Sequence, residues 1–557
     1  MTYQFDRFLR FDELTDWLRQ TVAAHPGIAT LEQYGTSHEG RALWLVTITD
    51  SSTGTHDTKP AMWVDANIHS VEVTGSVAAL HLIDRLVNGF AAGDPTVVEA
   101  LRTRTFYVVP RVNPDGAEAA LSDSPRYRRS SMRPWPWTDR HRWPGLQSND
   151  VDGNGRILSM RITDPNGAWV EHPQQPLLMI PVDHPSAPPG AQRYRVLSEG
   201  TVENYDGFTV PTPRSVEGLD MNRNFPAGWG TGVTGSGDHP LSEPEIDALV
   251  RAVTARPNVC GYNAYHTSGG FLLRPSSTKP DSQLSPNDVW MFKKIAEKCT
   301  ELTTYPAHSV FEDLTWDKSD TMSGAADDWA YEHLGVFSWT TEFWDAIAAA
   351  TPGRSGKHIW YEGPTVEQEL AVIEWAQTNA PDTLHPWRTF DHPQLGTLEI
   401  GGTDDFLLWT NAPASCLRAE VAPHSEFAIH QAMLSPRLEI LHTGTERLGD
   451  DTWRVDLGIA NTGWLPTHVT EVARTNHLCR PGWVQVDGAD TMGSPERVPF
   501  GNLAGRSAFL LAGGFRNDGT PDRNLTSWVV RAGAGTQITF TASHDRAGTV
   551  TTTITLG

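Results

Sequence analysis

At 557 residues the chain is too long for one compact domain, and two or three are expected. A hydrophobic fraction of 39% supplies enough apolar side chains for packed cores, while a formal charge of −23 argues against nucleic acid or an anionic membrane as a partner, since either needs a basic face. The four cysteines, Cys260, Cys299, Cys416 and Cys479, are far apart and form neither a metal-type pair nor a disulfide framework, which is compatible with a reducing compartment.

In chain order, the first residues, Met1 to Arg7, hold an acid and no apolar signal core, and no later run reaches the length of a membrane span. A cytoplasmic location is expected; a secreted chain with a trimmed leader would begin the same way. Apolar periodicity predicts a helix at 11–24 and strands at 43–49 and 61–66. Directly after the second strand comes Asp65-Ala66-Asn67-Ile68-His69-Ser70-Val71-Glu72, followed by a predicted helix at 73–88. An imidazole and a carboxylate three residues apart at a strand-to-helix junction suit a borderline-soft divalent ion, and zinc is the first hypothesis. His-x-x-Glu is short, however, and an ordinary surface pair is the competing reading until further ligands are found.

A strand is predicted at 105–110, and then a stretch of roughly 117–218, rich in Pro, Trp, Arg and Asp, shows no clear periodicity and reads as a large insertion on the functional side of a sheet. Within it, Asn149-Asp150-Val151-Asp152-Gly153-Asn154-Gly155-Arg156-Ile157 places Asp150, Asp152 and Asn154 at alternate positions before a Gly and an apolar residue, the first half of a calcium loop. Arg161 stands at the twelfth position, where a bidentate Glu is needed, so Ca²⁺ here requires Asp164 or an acid from elsewhere. A plain Asx-rich turn is the alternative.

Helices at 243–255, 287–303 and 365–379 alternate with strands at 260–265 and 336–341, so residues 1–395 read as an α/β domain with a mixed central sheet flanked by helices. Residues 396–435 read as a connecting segment with a short helix at 425–433. From 436 to 557 short strands at 438–441, 453–459, 483–486, 507–511, 526–532, 536–542 and 549–556, split by turn residues, predict an accessory β-sandwich.

Three later segments complete the constellation begun by His69 and Glu72. They are Leu219-Asp220-Met221-Asn222-Arg223-Asn224-Phe225, Tyr262-Asn263-Ala264-Tyr265-His266-Thr267-Ser268 and Ser338-Trp339-Thr340-Thr341-Glu342-Phe343-Trp344. Together with Gly35-Thr36-Ser37-His38-Glu39-Gly40-Arg41 and Pro110-Arg111-Val112-Asn113-Pro114-Asp115-Gly116, this ordered set resembles the zinc carboxypeptidase family of the A/B type over residues 3–390. The resemblance implies one catalytic Zn²⁺ on His69, Glu72 and His266, with Asp220 orienting a zinc histidine from behind; a turn or cap role is the plainer reading of Asp220. It implies Glu342 as general base and acid for a zinc-activated water, and Asn222 with Arg223 as the grip on a substrate's terminal carboxylate. The carbonyl-polarising arginine is assigned to Arg128, which follows an aromatic residue, with Arg126 and Arg129 as alternatives.

Two departures bear on the substrate. Counting back from Glu342 without gaps puts Asp320 where the digestive enzymes carry a mobile tyrosine, and Asp327 at the pocket floor, where an acid favours a cationic side chain. An ordinary helix-start acid is the other reading of Asp327. The expected activity is that of a metallocarboxypeptidase on peptides with a free carboxylate. Its alternatives are an amidohydrolase acting on cell-wall peptides or acylated amino acids, and a binding protein with a vestigial zinc site.

Overall fold

The protein is described by a computed structural model over residues 3–135, 144–318, 321–353, 363–509 and 518–557. Asp320 and residues 510–511 of the strand expected at 507–511 lie outside these.

The strand Ala61–Ala66 is buried at every position, as a strand covered on both faces must be. It pairs in parallel with Thr105–Val109 on one side and Val259–Thr267 on the other, and the latter pairs in parallel with Phe337–Phe343. Ala42–Ile48 and Ala29–Thr36 extend one edge antiparallel, and Phe271–Arg274 and Ala307–Ser309 extend the other, giving an eight-stranded mixed sheet. The pleat sorts the side chains of Ala61–Ala66. Met62 and Val64 join a core with Leu14, Leu80, Ile83, Leu417 and Val421, while Ala61 and Trp63 join the opposite one with Ile246, Leu249 and Val253. Helices Phe11–Ala24, Val73–Ala91 and Ala414–Leu434 therefore cover one face and Pro244–Thr254 the other. This is the mixed α/β architecture expected from the alternation of elements.

Parallel pairing has one consequence for function. The strands 61–66, 259–267 and 337–343 all end at the same edge, so residues just beyond them are neighbours. Helix Val73–Ala91 starts at that edge and lies close against Val259–Thr267 because its third residue, Gly75, has no side chain. A Cβ on Gly75 would stand 2.7 Å from the Tyr265 carbonyl oxygen.

The aperiodic stretch is not structureless. Ser159–Thr163, Trp169–His172, Gln175–Pro181 and Tyr194–Ser198 pair with the hairpin Leu384–His392 and Gly396–Thr403 in a separate six-stranded sheet, and Gly145–Ser148 pairs with Gly200–Glu203. Several of these strands are four or five residues long, too short to show alternation, and the pairing that ties them to the hairpin is remote in sequence, Arg161 lying opposite Glu399. The boundary expected at 395/396 falls inside the hairpin. The helix expected at 425–433 runs from Ala414 to Leu434, with Pro423 inside it interrupting the helical signal. It packs on Val73–Ala91, with the His81 Nδ1 and Ser425 hydroxyl 2.8 Å apart.

Residues 438–555 form two four-stranded antiparallel sheets around Trp453, Leu457, Val484, Trp528, Ile538 and Phe540. At 506–508 the chain makes a 3₁₀ turn rather than starting the expected strand. All four cysteines are free, and among the described residues no helix is long and apolar enough to cross a membrane.

Gly75→Val should force helix and strand apart. An overpacking cost of about 1–3 kcal/mol is expected, seen as a lower denaturant midpoint, together with weaker metal retention because the displaced strand carries His266.

Candidate metal centre

His69 and Glu72 lie in the turn between Ala61–Ala66 and Val73–Ala91. Asn67 takes a left-handed backbone (φ 61°) to start the turn and donates from its amide to the His69 carbonyl at 2.6 Å. The Ser130 hydroxyl and Asn113 amide both donate to the Ile68 carbonyl, and the Ser70 hydroxyl donates back to the Ser130 carbonyl. His266 comes from Val259–Thr267 and sits in register with Glu342 on the neighbouring parallel strand.

The four side chains meet in a site no more than 5% exposed at any of them. Glu72 Oε1 is 2.7 Å from His69 Nδ1, Glu72 Oε2 is 2.9 Å from His266 Nδ1, and the two imidazole nitrogens are 3.1 Å apart. Ligand atoms on a tetrahedral zinc, each about 2.0–2.1 Å from the ion, lie about 3.3 Å from one another, so this convergence suits that ion. Two His and one carboxylate, with a further position left for water or substrate, are the donors of a catalytic site. Burial would raise Glu72, but the two imidazoles hold its carboxyl well below the usual carboxylate range.

Asp220 makes a contact in keeping with each of the two readings considered for it. Its Oδ1 lies 3.1 Å from His69 Nε2 and accepts the Asn222 N–H, capping the short turn Met221–Arg223. That contact engages Nε2 and leaves Nδ1 as the nitrogen facing Glu72 and His266. Arg129, with help from His69 and Arg223, keeps the Asp220 carboxyl ionised despite burial.

The arginine cluster is sorted differently from the sequence expectation. Arg128 turns to Glu217 at 3.1 Å and to its neighbour's carbonyl, whereas Arg129 reaches Asp220 Oδ2 at 3.1 Å and Glu72 Oε1 at 3.3 Å. Which of these neighbouring guanidiniums meets Glu72 and Asp220 is decided by the position of those carboxylates, which spacing within the cluster does not contain.

Glu342 has a buried Oε2 without a hydrogen-bond partner. Burial, reinforced by the Glu72 charge and opposed by Arg129, holds its carboxyl well above the usual carboxylate range. An orphaned buried oxygen beside a metal-ligand set is where a reacting group belongs. Asn222 Oδ1 accepts the Ala326 N–H at 2.9 Å, and Arg223 donates to the Asn222 carbonyl. Asp327 is buried and is the second residue of the short helix Ala326–Trp329. Burial raises its carboxyl, while the Arg223 charge pulls it down.

Among the described residues a second convergence lies in the insertion, where carboxylate oxygens of Asp150, Asp152 and Glu199 fall within 4.8 Å of one another. Asn154 turns its side chain to the Arg156 N–H. Glu199 was not legible as a partner, because it is remote in sequence and marked only by a strand end. The three carboxylates also accept N–H groups from the loop, including Gly153 and Gly155 to Asp150 and Val151 and Leu158 to Glu199.

Fold and centre together define a mixed α/β protein with a two-histidine, one-glutamate metal site at the strand ends. The zinc carboxypeptidase family profile matches residues 14–352, and a domain of unknown function (DUF8731) matches 437–555. The chain belongs to the zinc carboxypeptidase family. It is 28% identical over 144 residues to a zinc carboxypeptidase of Saccharothrix mutabilis subsp. capreolus, covering 26% of this chain and 31% of that one. It is 28% identical over 162 residues to carboxypeptidase B of Astacus astacus, covering 29% and 44%. The matched stretches thus span less than half of these relatives. The crystal structure of thrombin activatable fibrinolysis inhibitor superimposes with a TM-score of 0.45 and 16% identity over 78% of this chain and 75% of that one.

Asp220→Asn should weaken zinc affinity about 10–100-fold by chelator competition, because the outer imidazole nitrogen loses its anionic partner.

Proposed function

We propose that this chain is a metallocarboxypeptidase that removes C-terminal residues, with preference for cationic side chains. The observation that supports it most is the unpartnered, buried Glu342 oxygen beside the converging His69, Glu72 and His266. Zinc held by those three residues supplies Lewis acidity, polarising an amide carbonyl and acidifying a water. Glu342 takes a proton from the attacking water and returns it to the leaving amine. Arg129, the guanidinium turned to the centre, takes the carbonyl-polarising role first assigned to Arg128. Arg223 pairs with the substrate carboxylate as a planar fork, and Asn222 is held beside it by the Ala326 N–H. Asp327 supplies the negative charge for a Lys or Arg side chain.

Glu342→Gln is expected to keep zinc and lose about 10²–10⁴-fold in kcat. Arg129→Ala should cost about 10²–10³-fold in kcat, with Arg128→Ala close to wild type. C-terminally amidated peptides should resist cleavage. Equal hydrolysis of free and amidated peptides would move the reading to an amidohydrolase, and loss of activity in Arg128→Ala alone would reverse the arginine assignment.

For the insertion we propose Ca²⁺ bound by Asp150 and Asp152 with Glu199 in place of the missing twelfth-position acid. Calcium should then raise the melting temperature of the wild type and leave that of Glu199→Gln unchanged; an equal response of both sinks the assignment.

A further inference from the structure

Arg546 lies in the turn between the strands Gln537–His544 and Gly548–Thr555 of the sandwich and is 5% exposed. Its Nη1 donates to the carbonyls of Gly335 at 3.0 Å and His468 at 2.8 Å, and its Nη2 donates to that of Leu334. Leu334 and Gly335 end a helical run that begins at Ala326, first as an α-helix (Ala326–Trp329) and then as a wider π-helical turn (Ala330–Leu334), with Gly335 left-handed at φ 66°. Helix-end carbonyls lack intrahelical donors and carry partial negative charge, so a buried guanidinium placed there acts as a cap supplied by another domain.

Three further contacts grip the same end. The Thr470 hydroxyl donates to the Gly335 carbonyl at 2.8 Å, and a Cβ on Gly335 would stand 2.5 Å from that of Ala473. The Tyr331 hydroxyl donates to Asp288, whose carboxylate also accepts the Glu471 N–H at 2.8 Å. Thr470, Glu471, Ala473 and Arg546 all fall within the domain of unknown function.

The other end of the run enters the candidate site. The Ala326 N–H holds the Asn222 side chain, Asp327 follows it, and Gly324 packs so closely that a Cβ there would lie 2.4 Å from the Arg223 carbonyl oxygen. Residues 326–334 thus connect the carboxylate-gripping segment to the sandwich as one short rod.

We propose that the C-terminal domain is a positioning element for substrate recognition. Arg546 fixes the far end of residues 326–334 and so sets the placement of Asp327 and, through Ala326, of Asn222. This rests on the roles proposed above for those two residues. Arg546 touches no reacting group and acts through the helical run.

The test uses the full chain with Arg546→Ala, Arg546→Lys and, as a control on the same sandwich, the exposed Arg454→Ala. KM, kcat and zinc content are measured with peptides ending in Lys and in Leu. For Arg546→Ala, KM for the Lys-ending peptide should rise about ten- to a hundredfold while kcat and zinc content stay near wild type, since misplacement of a positioning group by about 1 Å costs that much. Arg546→Lys should recover part of the loss, and Arg454→Ala should match wild type. An unchanged KM in Arg546→Ala overturns the inference, as does a joint collapse of KM, kcat and zinc content. If Arg546→Ala does not fold, Thr470→Val, which removes one hydrogen bond from Gly335, carries the same comparison. A wild-type chain that cleaves neither peptide refutes the functional reading itself, a result distinct from either outcome for the variants.

Discussion

One carboxylate organises this molecule. Glu72 is almost fully buried, and its two oxygens face imidazoles from two different strand ends, at 2.7 and 2.9 Å. A charge placed so deep is costly unless cations or donors surround it. The arrangement therefore demands that Ala61–Ala66 and Val259–Thr267 be adjacent and parallel and that the turn between 66 and 73 be rigid. The glycine at the start of Val73–Ala91, the left-handed Asn67 and the Asn113 and Ser130 donors all serve that turn. The same parallel order brings Glu342 into register with His266, so the buried carboxyl and the imidazole arrive at one edge together.

Around this centre, residues that look chemical in the sequence turn out to hold the scaffold. The segment 35–41 and the segment 110–116 lock into each other through Asp115, which accepts the Ser37 hydroxyl, the Glu39 N–H and the Arg41 guanidinium. Asp115 is buried and Arg41 partly so, and a charge-assisted network of this kind contributes more than an exposed ion pair. Its effect on the centre is indirect. Asn113, which caps the helix Pro114–Ala120 that carries Asp115, donates to the Ile68 carbonyl beside His69.

The accessory regions are built on to the catalytic unit rather than strung from it. The insertion is stitched to the hairpin 384–403 by antiparallel pairing, and the helix Ala414–Leu434 is part of the main core. Backbone pairing across more than 180 residues is slow to form but, once made, fixes the insertion as a sheet. The sandwich meets the sheet domain at a helix end, with the deeply buried Arg546 spent on carbonyls.

The sequence by itself determined the parts whose physics is local or strongly periodic. The buried strand 61–66, the helices at 11–24, 73–88, 287–303 and 365–379, and the ordered appearance of His69, Glu72, Asp220, Arg223, His266 and Glu342 could all be read from residue type and spacing. Tertiary structure alone decided questions of direction and distance. It turned Arg129 rather than Arg128 inward, and it brought Glu199 beside Asp150 and Asp152 from far along the chain. It also gave the aperiodic insertion a sheet by supplying partner strands from 384–403. The reason is the same in each case. A side chain's type and its neighbours in sequence fix what it can bind, but which way a short segment faces is set by the surfaces it packs against, and those come from residues tens to hundreds of positions away.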